Sequence, residues 1–547
     1  MRHLPGPLLV VDLDDREAWT EDVSDVAEQY VGGRGVATRL AHERIPFDAD
    51  PLGPENRLFF AVGPLQATTT SFAGRTNLTG VSPLTDGLLS SNAGGYLSRN
   101  LASTGYAAVE IRGASDDLVA VHVTDDGVEF EDVPELADTL VPAVSRRMAG
   151  ERDLGAAHLA TVGPAGEHGV RFASVMTYDH RAFGRGGLGA VLGAKGVKCV
   201  SFDGDSEPTL DVPEGALSAI DEAAATSDDP KRTQGTPSTV DLLNEEYSLP
   251  TRYFSEQSFE GAANLNGDAV EAKKYEKATC SDCAFACKLP TRDEETGVET
   301  EGPEYETTFS LGANVGVGDL VAVMKSNDLC DALGLDVISC GDAIAAYLAS
   351  EDAFGDADRV HDLVTKIAYR EGVGDVLAEG VSAAADEFGV RDWTVKNLGF
   401  PGHDGRVLQG QGLSYAVANR GADHLYASVL SDEYGDVPED TLDGKPALVV
   451  QRENEHALED AAIACTFSGG NVTDEHYEAL LDASMDELRN VGARIVTLER
   501  HFNNERGFDR GDDRLPFDLP GLADAIDEYY ERRGWNDDGT VPDAAVP

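Results

Sequence analysis

Through residues 1 to about 205, short runs of Val, Ile and Leu alternate with glycine-rich turns. Examples are LLVVDL (8–13), RLFFAVGPL (57–65), YAAVEIRG (106–113), LVAVHVT (118–124) and HLATVGPAG (158–166). Runs this short, punctuated by glycine, predict strands. Two helical stretches interrupt them, Ser24–His42 and Val141–Met148. From Thr307 onward, apolar residues recur at helical spacing. The predicted helices are Val321–Leu333, Asp342–Ala349, Val360–Glu371, Gly374–Glu387, Asp474–Leu488 and Val491–Asn503. Between the two halves, Asp203–Gln257 is rich in Asp, Ser, Thr and Pro and reads as a boundary region with some helix. The pattern predicts an α+β chain with a strand-rich first part and a mainly helical body after residue 206. It carries no fixed-period repeat.

The chain has 547 residues, 41% of them hydrophobic, enough for several domains with ordinary cores. The opening MRHLPGPLLVVDLDD has two prolines in its apolar run and acids directly after it, unlike a secretory leader. No stretch approaches a membrane span in length. Seven cysteines without a regular framework fit a reducing cytoplasm. Charge changes the picture more. Asp and Glu total 99 against 43 Lys and Arg, a formal net charge of −56, and only 11 residues are Lys. The acids are spread along the whole chain, which argues against nucleic-acid binding. Evenly spread acids suit a protein adapted to concentrated salt, where self-repulsion is screened within a few ångströms. The expected result is loss of fold and activity on prolonged dilution into low salt, followed by circular dichroism and turnover. Retention of both would remove that reading.

Four cysteines carry the first candidate chemistry: Cys280, Cys283 and Cys287 in CSDCAFAC, and a distant Cys465 in DAAIAC. A close trio plus one remote thiolate suits a cubane iron–sulfur cluster. A four-cysteine structural zinc site accepts the same ligands.

Three glycine-rich stretches lie in the strand-rich part: VGGRGVA (31–37), SSNAGGYLSRNL (90–101) and RAFGRGGLGAVLGAKGVK (181–198). Glycine lets backbone approach a ligand closely, backbone N–H groups cradle phosphate, and Arg adds bidentate contacts. Arg34, Arg75, Arg181 and Arg185 stand in or near these stretches. None fits a P-loop or a clean dinucleotide fingerprint, so a phosphate-bearing ligand of another kind is expected. DALGLD (331–336) and DAAIAC (460–465) share a frame, an Asp five positions before a second Asp or a Cys. They read as two similar acid-bearing loops for two similar ligands with amine or amide donors. GPEYET (302–307) offers Glu304, Tyr305 and Glu306, and NRGADHL (419–425) offers His424, as proton-moving groups.

Together these motifs resemble the tungsten-containing aldehyde ferredoxin oxidoreductase family over nearly the whole chain. The ordered set also includes GPL (63–65), AGR (73–75), SPLT (82–85), GPAGE (163–167), RIVTLERHFNNERGFDRGDDRLP (494–516) and YYERRGW (529–535). The resemblance implies a strand-rich bis-pterin-binding domain over 1–205 and two mainly α-helical domains, over 206–405 and 406–547. It implies tungsten, or molybdenum, held by two pterin dithiolenes with no protein ligand, and magnesium linking the pterin phosphates. Arg75, Asn92, Gly94, Gly95, Arg181, Ala182, Gly184 and Arg185 match the positions around those phosphates. Asn92 and Ala182 match the magnesium-contacting carbonyls. Asp331, Asp336 and Asp460 match the acids that hold the pterin rings. Cys280, Cys283, Cys287 and Cys465 match the ligands of one [4Fe–4S] cluster. Glu306 and His424, with Tyr305 beside them, match the pair next to the metal. His424 or Tyr305 is expected to polarise the carbonyl of a small aldehyde, Glu306 to help activate water, and ferredoxin to take the electrons.

The chain also departs from that family. KNLGFPGHDGR (396–406) replaces its usual acid-bearing stretch, and DAAIAC lacks a glycine common before its last residue. Lys325 stands where the archetype has a Glu that helps share a metal between subunits, so a homodimer would lack that bridge. Two readings compete with aldehyde oxidation: the same cofactors used on hydroxy acids or aromatic acyl thioesters, and a non-catalytic zinc-stabilised protein.

Overall fold

The near-continuous apolar runs of the first 200 residues are buried on both faces because they form the middle of a layered stack. The computed structural model describes residues 1–3, 6–213, 215–281, 283–435 and 437–547. A first six-stranded sheet contains β1 (Leu8–Asp12), β2 (Glu17–Glu21), β3 (Leu58–Ala61), β4 (Arg75–Val81), β5 (Leu88–Gly94) and β6 (Ala108–Arg112). Its spatial order is β2-β1-β6-β3-β4-β5, and only β1 and β6 run parallel. Alternation decides which layer each residue meets. Leu9, Val11, Leu58, Phe60 and Val109 face a second sheet. Leu8, Val10, Phe59, Ala61 and Ala108 face helices, among them Gly33–Arg44, Lys445–Ala462 and Met485–Glu505. That is why LLVVDL and LFFAV show no polar alternation.

The second sheet contains β7 (Val119–Thr124), β8 (Gly127–Asp132), β9 (Leu159–Val162), β10 (Val175–Thr177), β11 (Arg181–Phe183) and β12 (Val197–Phe202). Its order is β11-β10-β9-β12-β7-β8, with β12 and β7 parallel. The two sheets bring the edge strands β5 and β11 side by side. Those edges carry the NAGG and RAFGRGG motifs. After residue 206 the described strands are four short pieces in two ribbons, and the rest is helix and loop. No single described helix is long and apolar enough to cross a membrane; one bent pair, Tyr305–Val315 with Leu320–Leu333, passes by length and composition only.

Three predicted helices are split. Ser24–His42 breaks into Ser24–Tyr30 and Gly33–Arg44, with Val31 at φ 72° between them. The break lets backbones touch: a Cβ on Gly33 would lie 2.2 Å from the Asp460 carbonyl oxygen. Gly374–Glu387 divides into Val373–Leu377 and Val381–Phe388, because Gly380 takes φ 104°. Asp474–Leu488 ends at Leu481, where Asp482 takes φ 54°. Ser484 and Glu487 then form a reciprocal capping box that opens Met485–Glu505.

Candidate active site and metal centres

The cysteine trio sits on a loop pinned at its base by the bridges Lys274↔Thr291 and Ala278↔Lys288. Within it, Cys283 N–H donates to the Cys280 carbonyl at 2.9 Å, and Thr279 Oγ1 donates to the Cys283 carbonyl at 2.6 Å. Cys465 follows the end of helix Lys445–Ala462. Phe72 ties the two halves together: its N–H donates to Cys283 Sγ at 3.3 Å, and its carbonyl accepts from Cys465 N–H at 2.7 Å. Arg75 Nη2 lies 3.7 Å from Cys465 Sγ. All four cysteines line one cavity of about 220 Å³. A cubane cluster and a tetrahedral zinc ion both accept four thiolates, so the shared cavity fits either. Burial pushes the Cys287 thiol up to about 12 and raises Cys283 as well. Without metal these groups stay protonated, and metal binding would release protons.

The same cavity is lined by Arg75, Asn92 and Gly94 from the first sheet and Arg181 and Ala182 from the second. Glycine is needed here for room. A Cβ on Gly94 would stand 3.2 Å from Cys280 Sγ, and one on Gly184 would stand 3.1 Å from Asp336 Oδ1. Gly95 has φ 127°. Arg185 Nη2 donates to the Gly399 carbonyl and its Nε lies 3.6 Å from Asp336 Oδ2, beyond hydrogen-bond reach, while Nη1 is buried without a hydrogen-bond partner. Arg75 Nε is likewise buried and unpartnered. Buried unpaired donors are uncommon in native proteins, and these guanidinium atoms fit anionic phosphate. Arg181 is bound to Glu301, with Glu304 at 3.7 Å.

Arg34 does not join this phosphate-type set. It is buried, donates to Glu499 at 2.8 and 2.7 Å and to Asp460 at 3.2 Å, and stacks 3.7 Å from the Tyr426 ring centre. Its charge is consumed inside the fold.

The shared frame of DALGLD and DAAIAC is a shared helix ending rather than a loop. Asp331 lies three residues before Gly334, at φ 78°, after helix Leu320–Leu333. Asp460 lies three residues before Ile463, at φ 62°, after helix Lys445–Ala462. The missing glycine of DAAIAC is thus a left-handed position filled by a β-branched residue, an unfavourable choice. Gly33 leaves space for it: a Cβ there would meet Ile463 Cδ1 at 2.6 Å. Asp331 accepts from Asn327 at 3.1 Å, has His180 at 3.6 Å, and is pushed up to about 6 by burial. Asp336 caps the next helix by accepting from Ser339 N–H at 3.0 Å. Asp460 accepts from Asn92 Nδ2 at 2.5 Å.

Glu306 lies in the first turn of the helix Tyr305–Ser310. Its Oε2 accepts from Gly402 N–H at 2.9 Å. Its Oε1 faces His403 Nε2 at 3.4 Å and His424 Nε2 at 3.6 Å. Glu306 Oε1 and the Nδ1 atoms of both histidines are buried without hydrogen-bond partners. The two imidazoles hold Glu306 down at about 2 despite burial, and burial holds His424 down at about 4. The NRGADHL loop is stapled to β5, since Arg420 and Tyr426 both donate to the Ser90 carbonyl, at 2.9 and 3.2 Å. Tyr305 takes a different part from the one expected. Its hydroxyl donates to the Gly402 carbonyl, and its ring packs 4.9 Å from His403. In this structure it positions the loop that holds His403. His403, in the PGHDGR stretch, is the site residue that sequence reading passed over; its only signal was a histidine between two glycines.

Family models for the aldehyde ferredoxin oxidoreductase N-terminal domain and for domains 2 and 3 match residues 8–204 and 215–546. The chain belongs to the aldehyde ferredoxin oxidoreductase family. The tungsten-containing aldehyde ferredoxin oxidoreductase of Thermococcus kodakarensis is 34% identical over 98% of this chain and 97% of that protein. The enzyme of the same name from Pyrococcus furiosus is 32% identical over the same shares. The WOR-like subunit of an aliphatic sulfonate oxidoreductase from P. furiosus is 27% identical, over 90% of this chain and 85% of its own. The BamBC active-site complex of benzoyl coenzyme A reductase shares the fold, with a TM-score of 0.84 at 22% identity over 99% of this chain and 96% of its own. This family member is an oxidoreductase, which fits a buried carboxylate–imidazole centre in the same molecule as four converging cysteines.

Proposed function

We propose that this chain oxidises an aldehyde to a carboxylate at a tungsten (or molybdenum) bis-pterin centre and passes electrons through one [4Fe–4S] cluster to ferredoxin. One observation carries the reading: a single cavity is lined both by Cys280, Cys283, Cys287 and Cys465 and by the facing strand edges that hold Arg75, Asn92, Gly94, Arg181 and Ala182. A cluster and a phosphate-bearing cofactor would share that wall, and Arg75, with Nη2 3.7 Å from Cys465 Sγ, would face both. The unpartnered nitrogens of Arg75 and Arg185 would bind phosphate, and Asp331, Asp336 and Asp460 would accept from the pterin amines. The backbone carbonyls of Asn92 and Ala182 would hold magnesium between the phosphates. When bound, the tungsten–pterin group supplies a two-electron acceptor.

The protein's own part is proton handling and orientation. At neutral pH Glu306 is an anion and His424 is neutral. Glu306, fixed by Gly402 N–H, orients the water that adds to the carbonyl carbon, and His424 takes a proton from it. Buried surroundings keep bulk water from competing.

Elemental analysis of anaerobically purified protein tests the cofactor set. About four irons and one tungsten or molybdenum per chain are expected, the content of one cubane cluster plus one pterin-bound metal. Zinc alone, from a tungstate-supplied host, would overturn it. Turnover of aldehydes with a viologen acceptor then separates this reaction from hydroxy-acid or acyl-thioester chemistry.

A further inference from the structure

The stretch that departs from the family pattern, KNLGFPGHDGR, delivers a second imidazole to Glu306. His403 and His424 approach the same oxygen, Glu306 Oε1, at 3.4 and 3.6 Å, with their ring centres 5.4 Å apart. Each ring therefore turns Nε2 toward the carboxylate and leaves Nδ1 buried and without a partner. The His403 backbone is held on both sides, since Tyr305 donates to the Gly402 carbonyl and Tyr415 donates to the His403 carbonyl at 3.0 Å. A side chain held this firmly with an unpaired buried nitrogen is placed to receive something.

We propose that His403 is a second proton acceptor, so that one turnover leaves one proton on each of the two imidazoles flanking Glu306. This rests on the aldehyde-oxidation reading above. Oxidation of RCHO with water gives RCOO⁻, three protons and two electrons. The aldehyde C–H and both water O–H bonds break, and a second carbon–oxygen bond forms. The electron pair leaves in two single steps to a ferredoxin-class carrier. Two protons go to Nδ1 of His403 and Nδ1 of His424, and the third goes to solvent.

Charge balance explains why two imidazoles serve better than one. In a buried site, uncompensated charge is costly. Two electrons waiting to leave draw His424 up from its resting value of about 4, and two retained protons offset them, so the net charge around Glu306 stays constant. Each departing electron then releases one proton. Of the neighbouring charges, Asp404 is paired with Arg406 and Asp423 with Arg420, and Arg185, 3.6 Å from Asp336, is a fixed cation with no proton to exchange. Tyr434 shares a hydrogen bond with Ser248 at 2.6 Å. Asp342 accepts from Asn314 at 2.8 Å through one oxygen, and burial raises it well above the usual carboxylate range, so it is already protonated. Glu306, His403 and His424 remain as the groups able to absorb the change.

The test counts protons instead of rates. Metal-loaded enzyme receives less than one equivalent of benzaldehyde or acetaldehyde near pH 8, without an electron acceptor, in weak buffer with a pH indicator. The wild type is expected to release about one proton per aldehyde at once, and two more when viologen removes the electrons. His403→Gln, checked for metal content and circular dichroism, is expected to release about two at once and one later. Equal prompt release from both proteins would overturn the proposal. If the variant does not fold or load, the wild type alone decides: prompt release of all three protons would overturn it, and release of one would support it. A wild type that oxidises no aldehyde instead refutes the proposed function, a distinct result.

Discussion

Glu306→Gln lowers aldehyde turnover by about a hundredfold or more, the scale of a general acid–base contribution, and leaves the metals bound. The substitution is nearly isosteric. The amide oxygen still accepts from Gly402 N–H, which holds the wild-type carboxylate at 2.9 Å, so the PGHDGR loop keeps its place. What is lost is the negative charge facing His403 and His424 at 3.4 and 3.6 Å. That charge opposes the effect of burial on His424, which lies at about 4 with Glu306 present. Removing it lowers His424 further, so the imidazole becomes a weaker proton acceptor. The acidic limb of the pH–rate profile, set near 4 by His424 in the wild type, moves to lower pH in the variant. The moved limb reports the lost charge, and the fall in the pH-independent rate reports the lost proton handling. Full activity with an unmoved profile would remove Glu306 from the mechanism. Stability follows the same sign. The unfolded chain protonates this histidine at about 6.5, well above its folded value, so the folded state loses stability as pH falls from 6.5 toward 4.

Legibility differed between the parts of the molecule for physical reasons. The strands were readable because the first sheet is covered on both faces, which leaves unbroken apolar runs such as LLVVDL and LFFAV. Helix existence was readable from periodicity, but helix ends were not. Apolar spacing continues across Val31–Gly33, Gly380 and Asp482, where a single left-handed or extended residue turns the chain. The cysteines and the Gly/Arg motifs were readable because their spacing is set by the groups they would hold. Arg34 was misread because its pairing with Glu499 joins residues 465 positions apart. His403 was missed because no local pattern marks it. Its part in the site comes from a loop that Tyr305 and Tyr415 hold from outside the PGHDGR stretch.

Cys283→Ser removes the visible iron–sulfur absorbance and abolishes turnover with ferredoxin or viologen. Serine oxygen is a poor iron ligand compared with thiolate, and no other cysteine can substitute from its own position. Cys199 is buried in one core cluster, and Cys330 and Cys340 lie side by side in another. The position also sits at a junction. Phe72 N–H donates to Cys283 Sγ, and the Phe72 carbonyl accepts from Cys465 N–H, so the substitution loosens a link between the trio and the fourth ligand. Burial already raises Cys283 and pushes Cys287 to about 12, so loss of one ligand weakens the hold on metal where thiolates are costly to keep. Iron is expected to fall well below about four per chain. Tungsten is expected to remain, because Arg75, Arg185, Asp331, Asp336 and Asp460 make no use of Cys283. That split, iron lost and heavy metal kept, distinguishes loss of the cluster from general unfolding, in which both metals go together. An unchanged spectrum would sink the ligand assignment. Zinc in the wild type, lost from the variant, would instead favour a structural site.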